Sequence, residues 1–398
     1  MSGQVFDFAV VGAGIVGAAV AAGILHRRPG ARLVVIEKEA EPAFHQTGRN
    51  SGVVHSGVYY KPGSLKARLC REGLERTKAF CLARGIGYEA RGKLLVATSD
   101  VEETRLSALV ERAGQNGVAA QPLSRADLRR LEPEIAGQAA LRIPATAIVD
   151  YKGVTRSLLG DVERAGGKIE FSREVSAISR SGTAFSIEAG GRILEAGQVV
   201  ACCGLAADRV ARMAGIDPGI RIVPFRGEYY VLPERHAKIV HHLIYPIPDP
   251  ALPFLGVHLT PMIDGTITVG PNAVLALARE GYSRWSIDTR DAASALLYPG
   301  LWRLLARHPR AMVDELRGSL SKRAYLEAVR KYCPAIALAD LAQYRSANRA
   351  QAVFPDGTML DDFLIRSADG FTAVLNAPSP AATSAMPIAD RICAEILS

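Results

Sequence analysis

The 398-residue sequence predicts an α/β chain with an α+β insert. Three observations carry that expectation. The first 37 residues read as strand, glycine-rich turn, helix and strand. Between about Arg221 and Pro271, apolar and polar residues alternate in short runs separated by many prolines. The tail returns to a short apolar strand and an alanine-rich helix. Together they describe a Rossmann-like dinucleotide-binding domain with a discontinuous antiparallel-sheet domain set into it. Residues 1–90, 145–218 and 343–398 are expected to form the nucleotide-binding domain, and 91–144 and 219–342 the substrate domain.

Taken in order, Phe6 to Val11 is a short apolar strand, Gly12 to Gly17 the turn, Ile15 to Arg27 a helix and Leu33 to Ile36 the next strand. Strand and helix at this spacing imply a parallel pair with a right-handed crossover. A polar, glycine-rich loop from His45 to Gly63 leads into a helix over about Ser64 to Arg84. A second helix is expected over Val101 to Asn116, and Ser124 with Asp127 reads as the cap of a third. Tyr151 to Ala165 is helical, and Val199 to Gly204 is a buried strand that ends in glycine. Asp291 to Arg307 and Lys322 to Tyr332 are expected to be helices laid on the alternating sheet. Ala373 to Leu375 is the returning strand, with the last helix starting at about Ala381.

Composition narrows the function. With 48% apolar residues and a net charge of +8, the chain can bury enough surface to order itself. Six cysteines show neither Cys-x-x-Cys nor zinc-ligand spacing, so they read as reduced core thiols, and no metal site is expected. Cys202 and Cys203 in particular read as core residues. The 48 basic residues are scattered rather than clustered, which excludes nucleic acid as a partner and suits a small anionic substrate. Phe8 to Leu25 is uncharged and just long enough to span a bilayer, but it holds four glycines and is better explained as strand, turn and helix. Gly370 to Ala389 is likewise uncharged and is broken by three prolines.

The strongest motif is Gly12-x-Gly14-x-x-Gly17 with Glu37 twenty residues further on. The first two glycines permit a tight turn and close approach of a pyrophosphate, the third lets helix and strand pack, and the carboxylate takes a ribose hydroxyl. Glu37 favours ribose hydroxyls over a 2′-phosphate.

Further strings carry a family resemblance across the whole chain. They are His45-Gln-Thr-Gly48, Asn50 to Tyr60, Pro224 to Tyr229, Ile244 to Pro250, Pro253 to His258, Val269 to Leu275, Arg349-Ala-Gln351 and Asn376 to Ser384. On these residues the chain resembles the FAD-dependent family that includes glycine and D-amino-acid oxidases and glycerol-3-phosphate dehydrogenases. Within it, the likeness is greatest to the branch that oxidises L-2-hydroxyglutarate. One departure stands before the Arg-Ala-Gln motif, where this chain has Ala347-Asn348 and the family usually has a glycine and a hydrophobic residue.

The resemblance implies FAD contacts at Gly12, Gly14, Gly17, Glu37, Lys38, Thr47, Asn50, Ser51, Gly52, Val175, Gly204, Ser379, Pro380, Ala381, Ala382 and Thr383. A helix start in the tail would face the flavin and favour its anionic reduced form. Oxidising a hydroxy acid needs a base for the hydroxyl proton, most often histidine. His55 is the expected base, with His258 as substrate ligand or alternate base. Each buried carboxylate of a dicarboxylate needs a guanidinium or its equivalent. Arg349 and Arg226 are the candidates, with Tyr60 contributing a hydroxyl. The structural alternatives are Arg226 paired with Glu228 or Asp264, and Arg349 with Asp361 or Asp362. The family's chemistry also implies delivery of electrons to a quinone or another acceptor. The expected location is cytoplasmic, with peripheral contact at the inner face of the cell membrane.

Overall fold

The computed structural model describes residues 5–249 and 256–398, so parts of the Ile244 to Pro250 and Pro253 to His258 strings lie outside it. Its first sheet has a parallel core in the order Phe371–Asn376, Arg192–Ala201, Val5–Val11, Leu33–Ile36, Lys168–Glu170. Leu33–Ile36 is buried at every position, as a strand covered on both faces must be. The ten-residue strand Arg192–Ala201 serves two partners along one edge. Its last residues pair with Phe371–Ala373, while its first half turns away into an antiparallel meander with Ala184–Ala189 and Val175–Ser181.

The helix Ile15–Arg27 packs between the helices Tyr151–Arg164 and Ala385–Ile396. Its small residues make this close packing feasible: a Cβ on Gly23 would sit 3.1 Å from the Cys393 sulfur. The uncharged segment that resembles a membrane span is thereby absorbed into a core of alanine, valine, isoleucine and leucine. Among the described residues no helix is long and apolar enough to cross a membrane.

The second sheet runs Ala342–Gln343, Tyr230–Val231, Ile267–Gly270, His258–Pro261, Leu243–Pro246, Lys93–Ala97, Ala139–Ile143, Gln121–Ser124. It is mixed rather than wholly antiparallel, because Leu243–Pro246 lies parallel to Lys93–Ala97. A separate three-stranded sheet joins Arg221–Gly227 to Val274–Leu275 and Ala347–Val353. The helix expected over Asp291 to Arg307 is two, Thr289–Leu296 and Pro299–Arg307, because Pro299 supplies no N–H to continue the first and starts the second instead. A further helix, Pro309–Leu320, was not expected; its Val313, Leu316 and Leu320 face outward, so it carries little core-facing pattern.

The C-terminal helix also differs from expectation. It begins at Ala385, not near Ala381, and Ser379 to Ser384 form turns ahead of it. Pro387 falls in its first turn, where an absent N–H costs nothing.

One buried charge cluster connects the segment that follows Arg192–Ala201 to the strand Arg221–Gly227. Arg279, 3% exposed, donates to both carboxylate oxygens of Asp208, 0% exposed, and to the carbonyls of Leu205 and Ile222. Arg279 and the Ile222 N–H hold the Asp208 carboxyl below its ordinary range against the opposing effect of burial. Removing Arg279 leaves the buried carboxylate with the half-exposed Arg212 and the Ile222 N–H, a much weaker compensation. Arg279→Met should therefore destabilise the protein by about 3 kcal/mol, read as a fall in thermal midpoint at pH 7. Because the folded carboxyl is depressed, its contribution is present above the unfolded pKa and disappears as pH falls through the folded one. The variant should show a correspondingly shallower acid loss of stability.

Candidate active site

The glycine turn at the head of the first sheet is dictated by close backbone approach. Gly12 has φ +103°, and a Cβ there would lie 2.6 Å from the Cys202 carbonyl oxygen; one on Gly17 would lie 1.9 Å from the Gly12 oxygen. Gly14 is less crowded, its nearest contact being 3.3 Å to Thr47 Oγ1. Glu37 is buried, and its two oxygens accept from the backbone N–H groups of Ala13 (2.7 Å) and Glu39 (2.9 Å). The carboxylate therefore shapes the turn while keeping lone pairs for a sugar hydroxyl.

The loop from His45 to Ser51 lies on this turn. Thr47 Oγ1 accepts from Ile15 N–H, the first of the helix. Asn50 is a brace within the loop: its amide donates to the carbonyls of Gln46 and Thr47 and accepts from Gly52 N–H. Gly52 has φ +64°, and a Cβ there would come within 2.9 Å of the Val149 carbonyl oxygen. Gly204, at the end of Arg192–Ala201, abuts the same loop through Gln46, whereas Val175 begins the meander strand beside Ala189. The Lys38 ammonium is held by Glu39 and by Glu280 (2.8 Å) and touches His45. Glu39, His45 and Glu280 come together as a trio, and the Lys38 ammonium contacts all three.

The tail closes the site from the other side. Thr383 Oγ1 accepts from His55 N–H (3.1 Å) and bonds the Tyr151 hydroxyl (2.9 Å). Its carbonyl accepts from Thr77, against Gly73, where a Cβ would lie 2.2 Å from that oxygen. Among the described residues the backbone N–H groups of Ala382 and Thr383 have no acceptor, and the buried Ser384 hydroxyl has no partner. Ala381 N–H is already spent on Pro378, and Pro380 has none to offer. The free donors thus stand in the turn before the helix rather than at its first residues.

His55 meets this tail through Nε2, 3.3 Å from Ser379 Oγ. Burial first, then the positive charge of Lys93, pushes its imidazole down to about 3. His258 is likewise pushed down to about 3, by burial and by the charges of Arg349 and Lys93. Both rings are neutral at pH 7. The tautomer of His258 follows from its contact: a carbonyl only accepts, so Nδ1 carries the proton given to Gly256 O (3.2 Å) and Nε2 holds a lone pair. The ring stacks on Tyr245 with centroids 4.0 Å apart. Tyr60 is pushed up by burial and remains a phenol, with Lys66 over its ring; Lys66 in turn pairs with Asp361.

Arg349 and Arg226 part company. Phe225 is opposite Arg349 and Arg226 opposite Asn348, so strand alternation sends the two arginines to opposite faces of the three-stranded sheet. Arg349 acts on His258, Tyr229 and Tyr245. Arg226 instead pairs with Glu228 (2.9 Å) and donates to the carbonyls of Ser283 and Arg284. Arg226 thus makes the pairing with Glu228 that the sequence offers as its structural alternative. Asn348 has a local use as well, donating to the carbonyls of Ala278, Arg279 and Gly281 and so holding the loop beneath Arg226. Asp361 and Asp362 are engaged at Lys66, the first by its ammonium and the second by its backbone N–H. The residue absent from the sequence reading is Lys93, whose charge reaches both histidines; a lone lysine heading the apolar run Lys93-Leu-Leu-Val-Ala97 was its signal.

The glycine turn, the buried acid at position 37 and the tail's N–H groups form a cradle of the flavin-dinucleotide type, with His55 and His258 near enough to act on one another. The chain belongs to the FAD-dependent oxidoreductase family, whose model matches residues 7–395. It is 47% identical over 393 residues to L-2-hydroxyglutarate dehydrogenase of Escherichia coli (strain K12), covering 98% of this chain and 93% of the relative. The mitochondrial L-2-hydroxyglutarate dehydrogenase of Homo sapiens is 40% identical over 409 residues, covering 98% and 88%. In fold it is similar to L-α-glycerophosphate oxidase from Mycoplasma pneumoniae, with a TM-score of 0.81 at 21% identity over 99% of this chain and 95% of that one. Glycine oxidase from Geobacillus kaustophilus follows with a TM-score of 0.73 at 16% identity, covering 98% and 94%.

FAD is the cofactor, and the residues present fit it: a glycine cradle that a Cβ would fill, a buried carboxylate, and unpaired donors at Ala382 and Thr383. Gly14→Ala should fold normally yet lose at least about tenfold in FAD affinity, since only a ligand needs that approach. Gly17→Ala should fail to fold, because its Cβ meets backbone. Flavin content per folded protein and the thermal midpoint distinguish the two.

Proposed function

We propose that the chain oxidises L-2-hydroxyglutarate to 2-oxoglutarate with bound FAD. The observation that carries this reading is the near full-length identity, 47%, to an L-2-hydroxyglutarate dehydrogenase. Two neutral histidines among cationic side chains support it chemically, as a dicarboxylate with a hydroxyl proton to lose requires.

In this reading Gly12, Gly14 and the start of Ile15–Arg27 would hold the pyrophosphate, Glu37 would take a ribose hydroxyl, and the Ala382 and Thr383 N–H groups would donate to the flavin. FAD, when bound, supplies the acceptor for the hydride leaving the carbinol carbon. His55 accepts the hydroxyl proton as that hydride departs, in a position set by Thr383 beneath its backbone. His258, stacked on Tyr245, bounds the substrate, and its Nε2 lone pair is the alternate acceptor of that proton. Arg349 binds the carboxylate next to the reacting carbon through its planar fork.

Electron delivery to a membrane quinone, through peripheral contact, is the further part of the reading. It is supported by a surface segment: of the exposed large apolar residues, Trp285, Ile287, Leu296, Leu297, Trp302, Val313, Leu316 and Leu320 all fall within residues 285–320. Arg284, Arg290, Arg303, Arg307, Arg310 and Arg317 are interspersed with them. Apolar residues rimmed by arginine suit an anionic bilayer interface.

Anaerobic L-2-hydroxyglutarate should bleach the flavin absorbance near 450 nm, while its D enantiomer, L-lactate, glycerol 3-phosphate and D-alanine should not; bleaching by one of those alone refutes the substrate. His55→Ala should lower kcat about 100-fold or more, with His258→Ala acting mainly on KM. Because both imidazoles are depressed, neither should produce an acid limb near pH 6.5 in kcat/KM. Trp285→Ser with Leu297→Ser should weaken sedimentation with anionic vesicles about tenfold, leaving turnover with a soluble acceptor unchanged. Equal vesicle binding by the double variant removes the proposed surface.

A further inference from the structure

Lys93 is 1% exposed, yet among the described residues its ammonium has no carboxylate and no hydrogen-bond acceptor. It heads the strand Lys93–Ala97, on the same face as Leu95 and Ala97. In the parallel register Lys93 pairs with Leu243 and Leu95 with Tyr245, which brings Tyr245 to that face. The ammonium sits 4.3 Å from the Tyr59 ring centroid and 5.0 Å from that of Tyr245, the ring on which His258 stacks. Aromatic faces offset part of the desolvation of a cation but do not neutralise it.

Every other titratable group facing Lys93 is uncharged at pH 7. Burial pushes the Cys70 thiol up to about 12 and both phenols upward, and it pushes His55 and His258 down. Nearby Lys66 is spent on Asp361. A second observation points the same way: Tyr59, over whose ring the ammonium sits, has a buried hydroxyl with no hydrogen-bond partner among the described residues. A desolvated cation next to an unpaired phenol, both beside the two histidines, is a receptor that lacks its anion.

Resting on the substrate reading above, we propose that Lys93, with the Tyr59 hydroxyl, receives the distal carboxylate of the substrate and makes this a dicarboxylate site. The division of labour follows from side-chain chemistry. Arg349's rigid fork suits the carboxylate beside the reacting carbon, whose orientation decides hydride transfer. A compact ammonium suits the far carboxylate, which needs charge more than orientation. The pair also explains how the site functions with Arg226 committed to Glu228.

The test uses the FAD-loaded full chain and ligands that cannot be oxidised. Glutarate, with both carboxylates, and pentanoate, with one, are titrated by perturbation of the flavin spectrum. The wild type should bind glutarate at least about 30-fold more tightly, and Lys93→Met should abolish the difference by weakening glutarate alone. In turnover the same variant should lose about 100-fold in kcat/KM for L-2-hydroxyglutarate, mostly through KM, with less than about threefold change for L-2-hydroxypentanoate. Tyr59→Phe should lower glutarate affinity by a smaller factor and leave pentanoate unchanged. Burial pushes Lys93 down to about 7, so glutarate affinity should fall as pH rises through that region and lose this dependence in the variant. Flavin content and thermal midpoint should be retained, since methionine fills the slot without a buried charge.

Equal losses for glutarate and pentanoate, no loss for either, or a wild type that does not discriminate between them would each overturn the proposal. If glutarate binding depends on Lys93 but L-2-hydroxyglutarate does not bleach the flavin, the substrate reading fails and the dicarboxylate receptor stands.

Discussion

The hydroxyl of Thr383, 1% exposed, joins parts of the chain more than 300 residues apart. It accepts from the His55 N–H and bonds the Tyr151 hydroxyl, which itself donates to Val53 O. The same residue's carbonyl is gripped by Thr77 where Gly73 lets two backbones meet. The position of the loop that carries His55 is thus decided by a residue of the tail, and the N–H groups of Ala382 and Thr383 are placed with it. Buried hydrogen bonds of this kind are costly to leave unmade, so the loop has one low-energy placement.

Charge is managed differently in the two halves of the molecule. At the junction near Asp208, a buried carboxylate is surrounded by donors until it is fully satisfied. At the site, burial instead removes charge from nearly everything: thiol and phenols stay protonated and imidazoles stay neutral. Low polarity strengthens the few charges that remain, which suits the proposed receiving groups, Arg349 and the protonated form of Lys93, to a dianion. Neutral histidines are what that field requires, since an imidazolium beside two cations would be unfavourable and could not accept a proton.

Much of this was legible in the residue order. The glycine triplet with Glu37 placed the nucleotide turn, and the motif strings singled out His55, His258, Arg349 and the tail. What was illegible depended on direction. Arg226 and Arg349 stand in equally suggestive strings, and only the register with Ala347–Val353 shows that they leave opposite faces of one sheet. Lys93 carries no motif at all. Its importance comes from Tyr245, 152 positions away, and from the want of any carboxylate nearby. The outward apolar face of Pro309–Leu320 likewise escaped, because periodicity that points away from a core resembles no helix that packs on one.

The sequence by itself determined the fold class, the cofactor and the reaction type, because these rest on local patterns: spacing within a turn, alternation within a strand, strings within a loop. Tertiary structure alone decided which cations lie near the two histidines, where the tail's free donors lie and how each titratable group is charged. Those properties depend on what is brought near across the two sheets and on how much water is excluded, and neither quantity is encoded at any single position of the chain.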